Sequence, residues 1–302
     1  MSNAHETVLL NEAVTALGIK QNGNYVDATF GRGGHSQLIL SHLNNGKLLV
    51  IDQDPVAIET AQQMNNKDLL IEHGPFEQLE AMIAKHFDNK VDGILFDLGV
   101  SSPQIDEAHR GFSFNKDGPL DMRMDTSGGE TAAQWLNQAD WKEISKVLWR
   151  YGEEKNATKI AKEIVIYREE IKPLETTNEL VGIIEKINKY SKKHPATRSF
   201  QAIRIHLNRE LEQVENVLPA ALNSLNPNGR LVVISFHSLE DRIVKRFFKK
   251  QASTGKYDKR MPIAPLESAS LKIVGKPIKA SGAELQNNPR ARSAIMRVAE
   301  KL

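Results

Sequence analysis

Short apolar segments alternate with helical patterns through the first third of the chain. Because these segments are apolar almost throughout, rather than at every second position, they predict strands that are covered on both faces. The predicted strands are Asn24–Thr29, Lys47–Asp52, Leu69–His73 and Val91–Asp97, and the helices predicted after the first three are Ser36–Leu43, Pro55–Met64 and Phe76–His86. This alternation predicts an α/β fold of the Rossmann-like kind, with a mostly parallel sheet.

The pattern changes after the fourth strand. From about residue 106 to residue 204 it is helical, and the three tryptophans, Trp135, Trp141 and Trp149, all lie in this stretch. The helices predicted here are Trp141–Tyr151, Lys155–Arg168 and Asn178–Ile187. We therefore predict a small inserted helical domain whose own core contains at least two of the tryptophans.

Strands return in the last third of the chain. The elements predicted there are a helix over Phe200–Leu218, a turn at Asn226–Gly229, a fifth strand over Arg230–Phe236, an antiparallel pair formed by Leu271–Val274 and Ser293–Ala299, and a loop over Gly255–Ser270. Residues 1–105 and 205–302 are thus predicted to form one domain in two parts, and residues 106–204 the inserted helical domain.

Charge is distributed unevenly along a chain whose formal net charge is only +2. Residues 1–105 carry 6 basic and 13 acidic side chains, whereas residues 242–302 carry 15 basic and 4 acidic ones, a net charge of +11. A basic tail of this kind indicates either a polyanionic partner or a solvated segment that balances an acidic body.

Cysteine is absent from the sequence, which excludes disulfides and thiolate metal sites, and we expect no metal centre. No apolar run approaches the roughly 20 residues that span a bilayer, and the N-terminus lacks a signal-peptide pattern. We expect a cytoplasmic protein with no membrane partner. The sequence leaves open whether it is a monomer or a homodimer.

A glycine-rich turn, Gly31-Arg32-Gly33-Gly34-His35, follows the first strand. Glycines at the carboxyl end of a strand let the backbone approach a ligand. Asp52 ends the second strand about 20 residues later, where a carboxylate can accept hydrogen bonds from ribose hydroxyls. This arrangement suits S-adenosylmethionine (SAM) or a dinucleotide. The spacing Gly-x-Gly-Gly, with Arg32 and His35 where a pyrophosphate would lie, favours SAM.

Two more strand ends carry candidate cofactor contacts. Phe76 follows a Gly-Pro turn after the third strand, where its ring can pack on an adenine or belong to the core at a helix start. Asp97 ends the fourth strand, and a carboxylate at a buried strand end needs a partner. The methionine ammonium of SAM would be a suitable one.

The segment Ser101-Ser102-Pro103-Gln104 follows the fourth strand. It has the polar-proline element with which amino-directed methyltransferases accept hydrogen bonds from the amine that they methylate, so Ser102 and Pro103 are candidate catalytic residues. It lacks the second proline and the aromatic residue of that motif, and an ordinary Ser-Pro turn remains the alternative. A stacking partner for the base must then come from elsewhere, and the candidates are Phe112, Phe114, Phe236 and His237.

His237 lies at the end of the predicted fifth strand, in Ser235-Phe236-His237-Ser238-Leu239-Glu240-Asp241-Arg242. It is a candidate proton acceptor or base contact, although a lone histidine at a strand end is more often a structural hydrogen-bonding group. Methyl transfer from a sulfonium gains mainly from alignment of donor and acceptor and needs no strong base at an early stage.

A series of segments matches one protein family, in order and over nearly the whole chain. They are His5–Leu10, Asp27–Ser36, Asp97–Gln104, Arg110–Phe114, Gly118–Met124, His194–Arg198, Ser235–Arg242 and Asn288–Ser293. Together they resemble the bacterial small-subunit ribosomal RNA cytosine-N4 methyltransferase H family.

The resemblance implies a class I SAM-dependent methyltransferase fold with an inserted helical domain. It implies N4-methylation of a cytidine in the decoding region of 16S ribosomal RNA, with the 30S particle as partner. The SAM contacts that it implies are Gly33, Gly34, His35, Asp52, Phe76, Asp97 and Gln104.

The basic tail is the expected phosphate-contacting surface. Its candidate residues are Lys245, Arg246, Lys249, Lys250, Arg290 and Arg292. Aromatic residues of the insert can stack an unpaired base, and an enzyme that reaches an N4 amine has to take the cytosine out of its stack.

Two other functions use the same features. One is a SAM-binding assembly factor whose RNA binding matters more than turnover, and the other is a nicotinamide dehydrogenase that uses the same glycine turn. Thermal protection by NAD but not by SAM would indicate the dehydrogenase. Stoichiometric binding to 30S particles without methyl transfer would indicate the assembly factor.

Overall fold

The computed structural model describes residues 7–188, 194–253 and 268–302. Contacts divide the chain into two compact units, one formed by Met1–Gly99 with Leu211–Leu302 and the other by Val100–Glu210. We call them the sheet unit and the helical unit. Residues 100–105 and 205–210, which we expected in the sheet-forming domain, group with the helical unit.

The first part of the sheet unit alternates helices and strands. Its elements are α1 (Leu10–Leu17), β1 (Asn24–Asp27), α2 (Gly34–His42), β2 (Lys47–Asp52), α3 (Pro55–Gln63), β3 (Leu69–His73), α4 (Leu79–His86) and β4 (Val91–Asp97). The bounds of β2, β3 and β4 are those predicted. The helix predicted from Phe76 begins only at Leu79, because a short 3₁₀ turn covers Phe76–Gln78.

The helical unit has a core of its own. Its helices are α5 (Ser102–Asp106), α6 (Ala132–Gln138), α7 (Trp141–Gly152), α8 (Ala157–Glu170), α9 (Thr177–Ile187) and α10 (Thr197–Leu207). Trp135 is buried in that core, Trp141 packs against its edge, and Trp149 is 69% exposed. Two tryptophans therefore pack, as predicted, and the third faces solvent.

After the helical unit the chain returns to the sheet. The remaining elements are α11 (Glu210–Asn223), β5 (Leu225–Ser235), α12 (Ser238–Gln251), β6 (Leu271–Ile273), β7 (Ile278–Lys279), α13 (Gly282–Asn287) and β8 (Ile295–Lys301). β6 and β8 pair antiparallel, as the sequence predicted. Most of the loop predicted over Gly255–Ser270 lies outside the described residues.

The single helix predicted over Phe200–Leu218 is wrong, because α10 ends at Leu207 and α11 begins at Glu210. Arg209 adopts a left-handed φ of 50° at the break. The Asn208 side chain donates to the Met122 carbonyl at 2.9 Å and accepts from the Met124 amide at 2.7 Å. These contacts are distant in sequence, so local periodicity does not reveal the break.

The turn predicted at Asn226–Gly229 is also wrong as a strand boundary, since these residues lie within β5. Leu225 pairs with Val91, whereas Arg230 pairs with Gly93, so the residues between form a bulge in the strand. β5 ends at Ser235, and Phe236 lies just beyond it instead of being its last residue.

In the described part of the chain, eight strands form one sheet in the order β3-β2-β1-β4-β5-β8-β6, with β7 also paired to β8. Strands β1 to β5 are parallel, and β8 runs antiparallel to β5. Ile94 packs with α4, α11 and α12 on one face of the sheet, whereas Leu95 packs with α1, α2 and α3 on the other. Burial of both faces explains the continuous apolar strands. Among the described residues, no helix is long and apolar enough to cross a bilayer.

Candidate active site

The glycine turn leads from β1 into α2. Gly31 and Gly33 adopt left-handed φ values of 56° and 75°, which favour glycine. A Cβ on Gly33 would lie 2.6 Å from the Phe30 ring, and one on Gly34 would lie 1.9 Å from Oγ1 of Thr7. The turn therefore excludes side chains for reasons of space as well as conformation.

Asp52, the last residue of β2, is tied to this turn. Its Oδ2 accepts from the Gly31 amide at 2.8 Å, and its Oδ1 accepts from the Asp54 amide at 2.9 Å. Burial raises the pKa of the Asp52 carboxyl to about 6. The Gln53 amide donates to the same carboxylate. Since each carboxylate oxygen has two lone pairs, the oriented carboxylate keeps acceptor capacity for a ligand hydroxyl.

Asp97, the last residue of β4, holds a buried oxygen without a partner. Its amide donates to Oγ1 of Thr29 at 2.6 Å, which fixes the strand end. Its Oδ1 has no hydrogen-bond partner in the described part of the chain. Burial raises the pKa of the Asp97 carboxyl well above its usual range, and the nearby Asp27 and Glu240 carboxylates raise it further. A cation would relieve both effects.

His35 supplies a second acceptor beside Asp97. Its Nε2 lies 3.2 Å from the Val8 carbonyl, which can only accept, so Nε2 is the donor and Nδ1 carries the lone pair. Burial lowers the pKa of His35 to about 4, so the ring is neutral near pH 7. Nδ1 lies 3.7 Å from Oδ2 of Asp97. Two acceptors that face each other in this way fit a ligand with several N–H donors, such as an ammonium group.

Asp27, which the sequence did not single out, supports the same strand ends. It is fully buried at the end of β1, where Oδ2 accepts from the Ser36 hydroxyl at 2.6 Å and Oδ1 from the Thr29 amide at 3.3 Å. Burial raises the pKa of Asp27 to about 7. Asp27 thus joins β1 to the start of α2. The acidic residue that begins the Asp-Ala-Thr-Phe-Gly segment was the available signal.

Phe76 begins the 3₁₀ turn after β3 and is partly exposed. Its ring meets the Phe96 ring edge-on, with centroids 5.6 Å apart and an interplanar angle of 78°. Part of Phe76 therefore belongs to the sheet core, as the alternative interpretation of the sequence expected. The exposed remainder of the ring stays a predicted adenine contact.

His237 is the N-cap residue of α12, two residues after the end of β5. Its Nδ1 accepts from the Glu240 amide at 3.4 Å, which caps the helix. Its Nε2 lies 3.0 Å from Oε1 of Glu240, without the geometry of a hydrogen bond. Glu240, which is 1% exposed, accepts in return from the Phe236 and His237 amides at 2.9 and 3.3 Å. The sequence missed this role of Glu240, although a polar residue three positions before a glutamate is a capping-box signal.

Phe236 lies next to the end of β4. Gly99 has a left-handed φ of 104°, and a Cβ there would touch Cδ2 of Phe236 at 3.4 Å. The partly exposed Phe236 ring therefore packs against bare backbone at Gly99. Of the four candidates for stacking a base, Phe236 and His237 lie in the sheet unit, just after the end of β5.

The candidate catalytic residues Ser102 and Pro103 lie in the first turn of α5, in the helical unit. Ser102 and Gln104 are buried. Oε1 of Gln104 accepts from the Ser101 amide at 2.9 Å, which closes the start of this short helix. Gln104 thus has a structural role, and its predicted contact with SAM stays a prediction.

Phe112 and Phe114 also lie in the helical unit. Phe112 is 8% exposed, with the Arg110 guanidinium 5.9 Å from its ring centroid. Phe114 stacks on His194 at 4.4 Å and meets Phe200 edge-on at 5.8 Å. These contacts explain both rings without a substrate, so their predicted RNA contact gains no support from their placement.

The basic candidates lie on two elements of the sheet unit. Lys245 and Arg246 are exposed on α12, whereas Arg292 is exposed and Arg290 partly buried in a 3₁₀ turn over Pro289–Ser293. A groove of about 180 Å³ lies beside α12. Its lining combines a basic rim with an apolar floor and includes Lys245, Lys249, Lys276, Phe248 and Val298.

This strand order, the antiparallel β8, and the glycine turn with acidic residues at the strand ends define a class I SAM-dependent methyltransferase, whose cofactor is SAM. A model of the MraW methylase family matches residues 2–302, and the chain belongs to that family. The predicted fold class and cofactor are thereby confirmed.

Relatives that are about half identical to this chain share one name. The chain is 53% identical over 306 residues to "Ribosomal RNA small subunit methyltransferase H" of Dechloromonas aromatica, covering 100% of this chain and 99% of that one. It is 52% identical over 307 residues to the protein of the same name of Shewanella frigidimarina, covering 99% and 98%. An rRNA methylase structure from Streptococcus thermophilus is 12% identical, with a TM-score of 0.41 over 99% of each chain.

Proposed function

We propose that this protein transfers the methyl group of SAM to the N4 atom of a cytidine in the decoding region of 16S ribosomal RNA, on the 30S particle in the cytoplasm. The observation that carries the cofactor-binding half is the buried, unpartnered Oδ1 of Asp97. The substrate half is supported by the names of the relatives and by the exposed basic residues of α12.

The methionine ammonium of SAM is matched by Asp97 and His35. Asp97 offers a carboxylate and His35 a neutral ring nitrogen, and their facing atoms are 3.7 Å apart. A bound cation also reduces the repulsion of Asp97 by Asp27 and Glu240, so binding of the charged end is favoured by the groups that raise the Asp97 pKa.

The ribose and adenine are assigned to the neighbouring strand ends. Asp52, oriented by the Gly31 amide, accepts from the ribose hydroxyls. Gly33 and Gly34 keep the turn free of side chains, so that its backbone can approach the ligand. The exposed part of the Phe76 ring packs on the adenine.

Bound SAM supplies a methyl group activated by its sulfonium, and the residues of this chain align the acceptor. We assign the Ser102-Pro103 segment to hydrogen bonds with the N4 amine, which aim its lone pair. His237 is assigned a contact to the base and not general-base catalysis, because its Nδ1 already accepts the capping hydrogen bond of α12.

RNA phosphates are assigned to the basic residues of α12 and of the late 3₁₀ turn. Lys245 and Arg246 lie one helical turn before Lys249 and Lys250, so their charges form one stripe along α12. Each phosphate that such a stripe neutralises adds to the salt dependence of binding. The target cytosine leaves its stack to reach the strand ends.

The test uses tritiated SAM and 30S particles from cells that lack this activity. We expect label in 16S RNA, and nuclease digestion should release it as N4-methylcytidine. Asp97→Ala protein is the matched control and should transfer no label. Label in another nucleoside would refute the N4 assignment, whereas transfer to naked 16S RNA at the same rate would refute the particle as substrate.

The same experiment separates the enzyme from an assembly factor. An assembly factor would bind 30S particles stoichiometrically in the presence of SAM and would leave the RNA unlabelled. The dehydrogenase alternative is wrong, because the chain belongs to the MraW methylase family and its cofactor is SAM.

A further inference from the structure

Among its described residues, the helical unit has one large aromatic side chain that is mostly exposed. Trp149 of α7 is 69% exposed, whereas Trp135 is buried and Trp141 packs at the core edge. Leaving an indole in water forgoes the burial energy of a large apolar surface. Trp149 therefore stands out as a residue that the core of its own unit does not use.

Lysines share the exposed side of α7 with Trp149. Lys142 and Lys146 precede Trp149 by seven and three residues, spacings that place side chains on one side of a helix. Both lysines are exposed. The outer side of α7 thus presents two cations followed by an aromatic ring.

Helix α8 adds further cations alongside. Oγ of Ser145 on α7 lies 3.0 Å from Oγ1 of Thr158 on α8, and Nζ of Lys162 lies 4.8 Å from the Trp141 ring centroid. These contacts align the two helices. Lys159, the residue after Thr158, is exposed as well. We call Lys142, Lys146, Trp149, Lys159 and Lys162 the Trp149 surface.

The lysines of the Trp149 surface are not neutralised within the described residues. None of the four lysine side chains forms an ion pair there, and the ammonium groups of Lys142 and Lys162 lie 5.8 and 4.8 Å from the Trp141 ring centroid. An exposed lysine face without paired carboxylates attracts polyanions.

We propose that the Trp149 surface binds single-stranded RNA, with a base stacked on Trp149 and phosphates near the lysines. The aromatic ring favours RNA over an acidic protein segment, because every base offers a π face to an exposed indole while the lysines follow the backbone. This inference rests on the proposed function and adds an RNA contact on the helical unit, distinct from the basic stripe of α12.

The direct test measures binding of a fluorescein-labelled oligouridine of about twelve nucleotides to the full-length protein by anisotropy. Trp149→Ser should weaken binding by about 5-fold or more, the range found when a stacking aromatic is removed. Ile171→Ser is the matched control, because Ile171 is 65% exposed on the same unit and is not aromatic. Equal affinity of the Trp149 and Ile171 variants would overturn the proposal.

A charge pair and a competitor complete the binding test. Lys146→Glu should weaken binding more than Lys67→Glu, an exposed position of the sheet unit with the same change in net charge. Polyglutamate should compete poorly. Competition by polyglutamate as strong as by unlabelled oligouridine would overturn RNA as the partner and indicate an acidic protein segment.

Kinetics with 30S particles separate this inference from the proposed function. Trp149→Ser should raise KM for the particle while kcat and SAM affinity stay unchanged. Normal KM for this variant, with normal N4-methylcytidine formation, would overturn the Trp149 surface alone. Absence of methyl transfer by the wild-type protein would overturn the proposed function. The oligouridine measurement would still test RNA binding by the Trp149 surface.

Discussion

Asp97, at a strand end of the sheet unit, and Asn137, in the helical unit, differ in how completely their side chains are hydrogen-bonded. At the strand ends, Asp97 has a buried oxygen without a partner in the described chain. In the helical unit, Asn137 donates to the Leu174 carbonyl at 2.8 Å and accepts from the Leu174 amide at 2.9 Å. Arg168 likewise donates to two backbone carbonyls, at 2.6 and 2.7 Å.

This difference distinguishes polar side chains that stabilise the fold from those that are available to bind a ligand. A buried polar group with complete hydrogen bonds stabilises its surroundings, whereas one left incomplete costs free energy. Proteins retain such a cost where function needs it. The comparison therefore predicts that a mutation of Asp97 changes SAM affinity without loss of stability. A mutation of Asn137 should lower stability and leave SAM affinity unchanged.

The largest effect is expected at Asp97. Asp97→Asn should weaken SAM binding by about 30-fold or more, since removing one partner of a buried charged pair costs roughly 2–5 kcal/mol. The same change removes a like charge that burial and two neighbours disfavour, so the free energy of unfolding without cofactor should not fall. Titration calorimetry and urea unfolding measure the two quantities. A variant that is less stable but binds SAM normally would show that Asp97 stabilises the fold and does not bind the cofactor.

In the helical unit the opposite outcome is expected. Asn137→Ala removes both hydrogen bonds to the Leu174 backbone and should lower the free energy of unfolding by about 1–3 kcal/mol, because buried groups lose their partners. SAM affinity should stay within twofold of the wild type, which corresponds to a difference of about 0.4 kcal/mol in binding free energy. Changed SAM affinity with unchanged stability would refute the structural role of Asn137.

Much of the fold followed from local pattern, and the departures have tertiary causes. β2, β3 and β4 have the predicted bounds because strands covered on both faces are apolar throughout. The break at Arg209 depends on contacts of Asn208 with residues of a distant segment, which periodicity does not show.

The candidate site shows the same division. The glycine turn and the positions of Asp52 and Asp97 at strand ends were readable in the sequence. The facing of His35 and Asp97, the capping role of His237 and the exposure of Trp149 depend on which side chains the fold brings together or leaves outside. Local pattern does not contain that information.

A pH-dependent effect is expected from Asp27. The folded protein raises the pKa of Asp27 from 3.8 to about 7, so it binds this proton more tightly than the unfolded chain. Asp27 therefore makes the free energy of unfolding decrease as pH rises across that window. His35, with its pKa lowered from 6.5 to about 4, contributes with the opposite sign.

The difference between Asp27→Asn and the wild type isolates the first contribution. The variant keeps an oxygen acceptor for Ser36, and its stability relative to the wild type should increase from about pH 4 to about pH 7. Urea unfolding over a pH series measures this difference. Parallel curves for the two proteins would contradict the raised pKa.

The smallest effect is expected at His237. His237→Ala should lower the free energy of unfolding by about 1 kcal/mol through loss of the helix cap, and His237→Asn should restore most of it, because asparagine caps well. The Asn variant should also keep most of the methyl-transfer rate and its pH profile. Equal loss of kcat in both variants, with stability restored only by asparagine, would instead make His237 a catalytic base.

The most direct test concerns the recognition of the ammonium group by Asp97 and His35. S-adenosylhomocysteine and its analogue without the amino group are titrated into wild-type and Asp97→Asn protein by calorimetry. The wild type should bind the analogue about 30-fold or more weakly than the parent, and the variant, which keeps only the His35 acceptor, should discriminate much less between the two. Equal discrimination by the two proteins would show that the unpartnered carboxylate does not serve the cofactor.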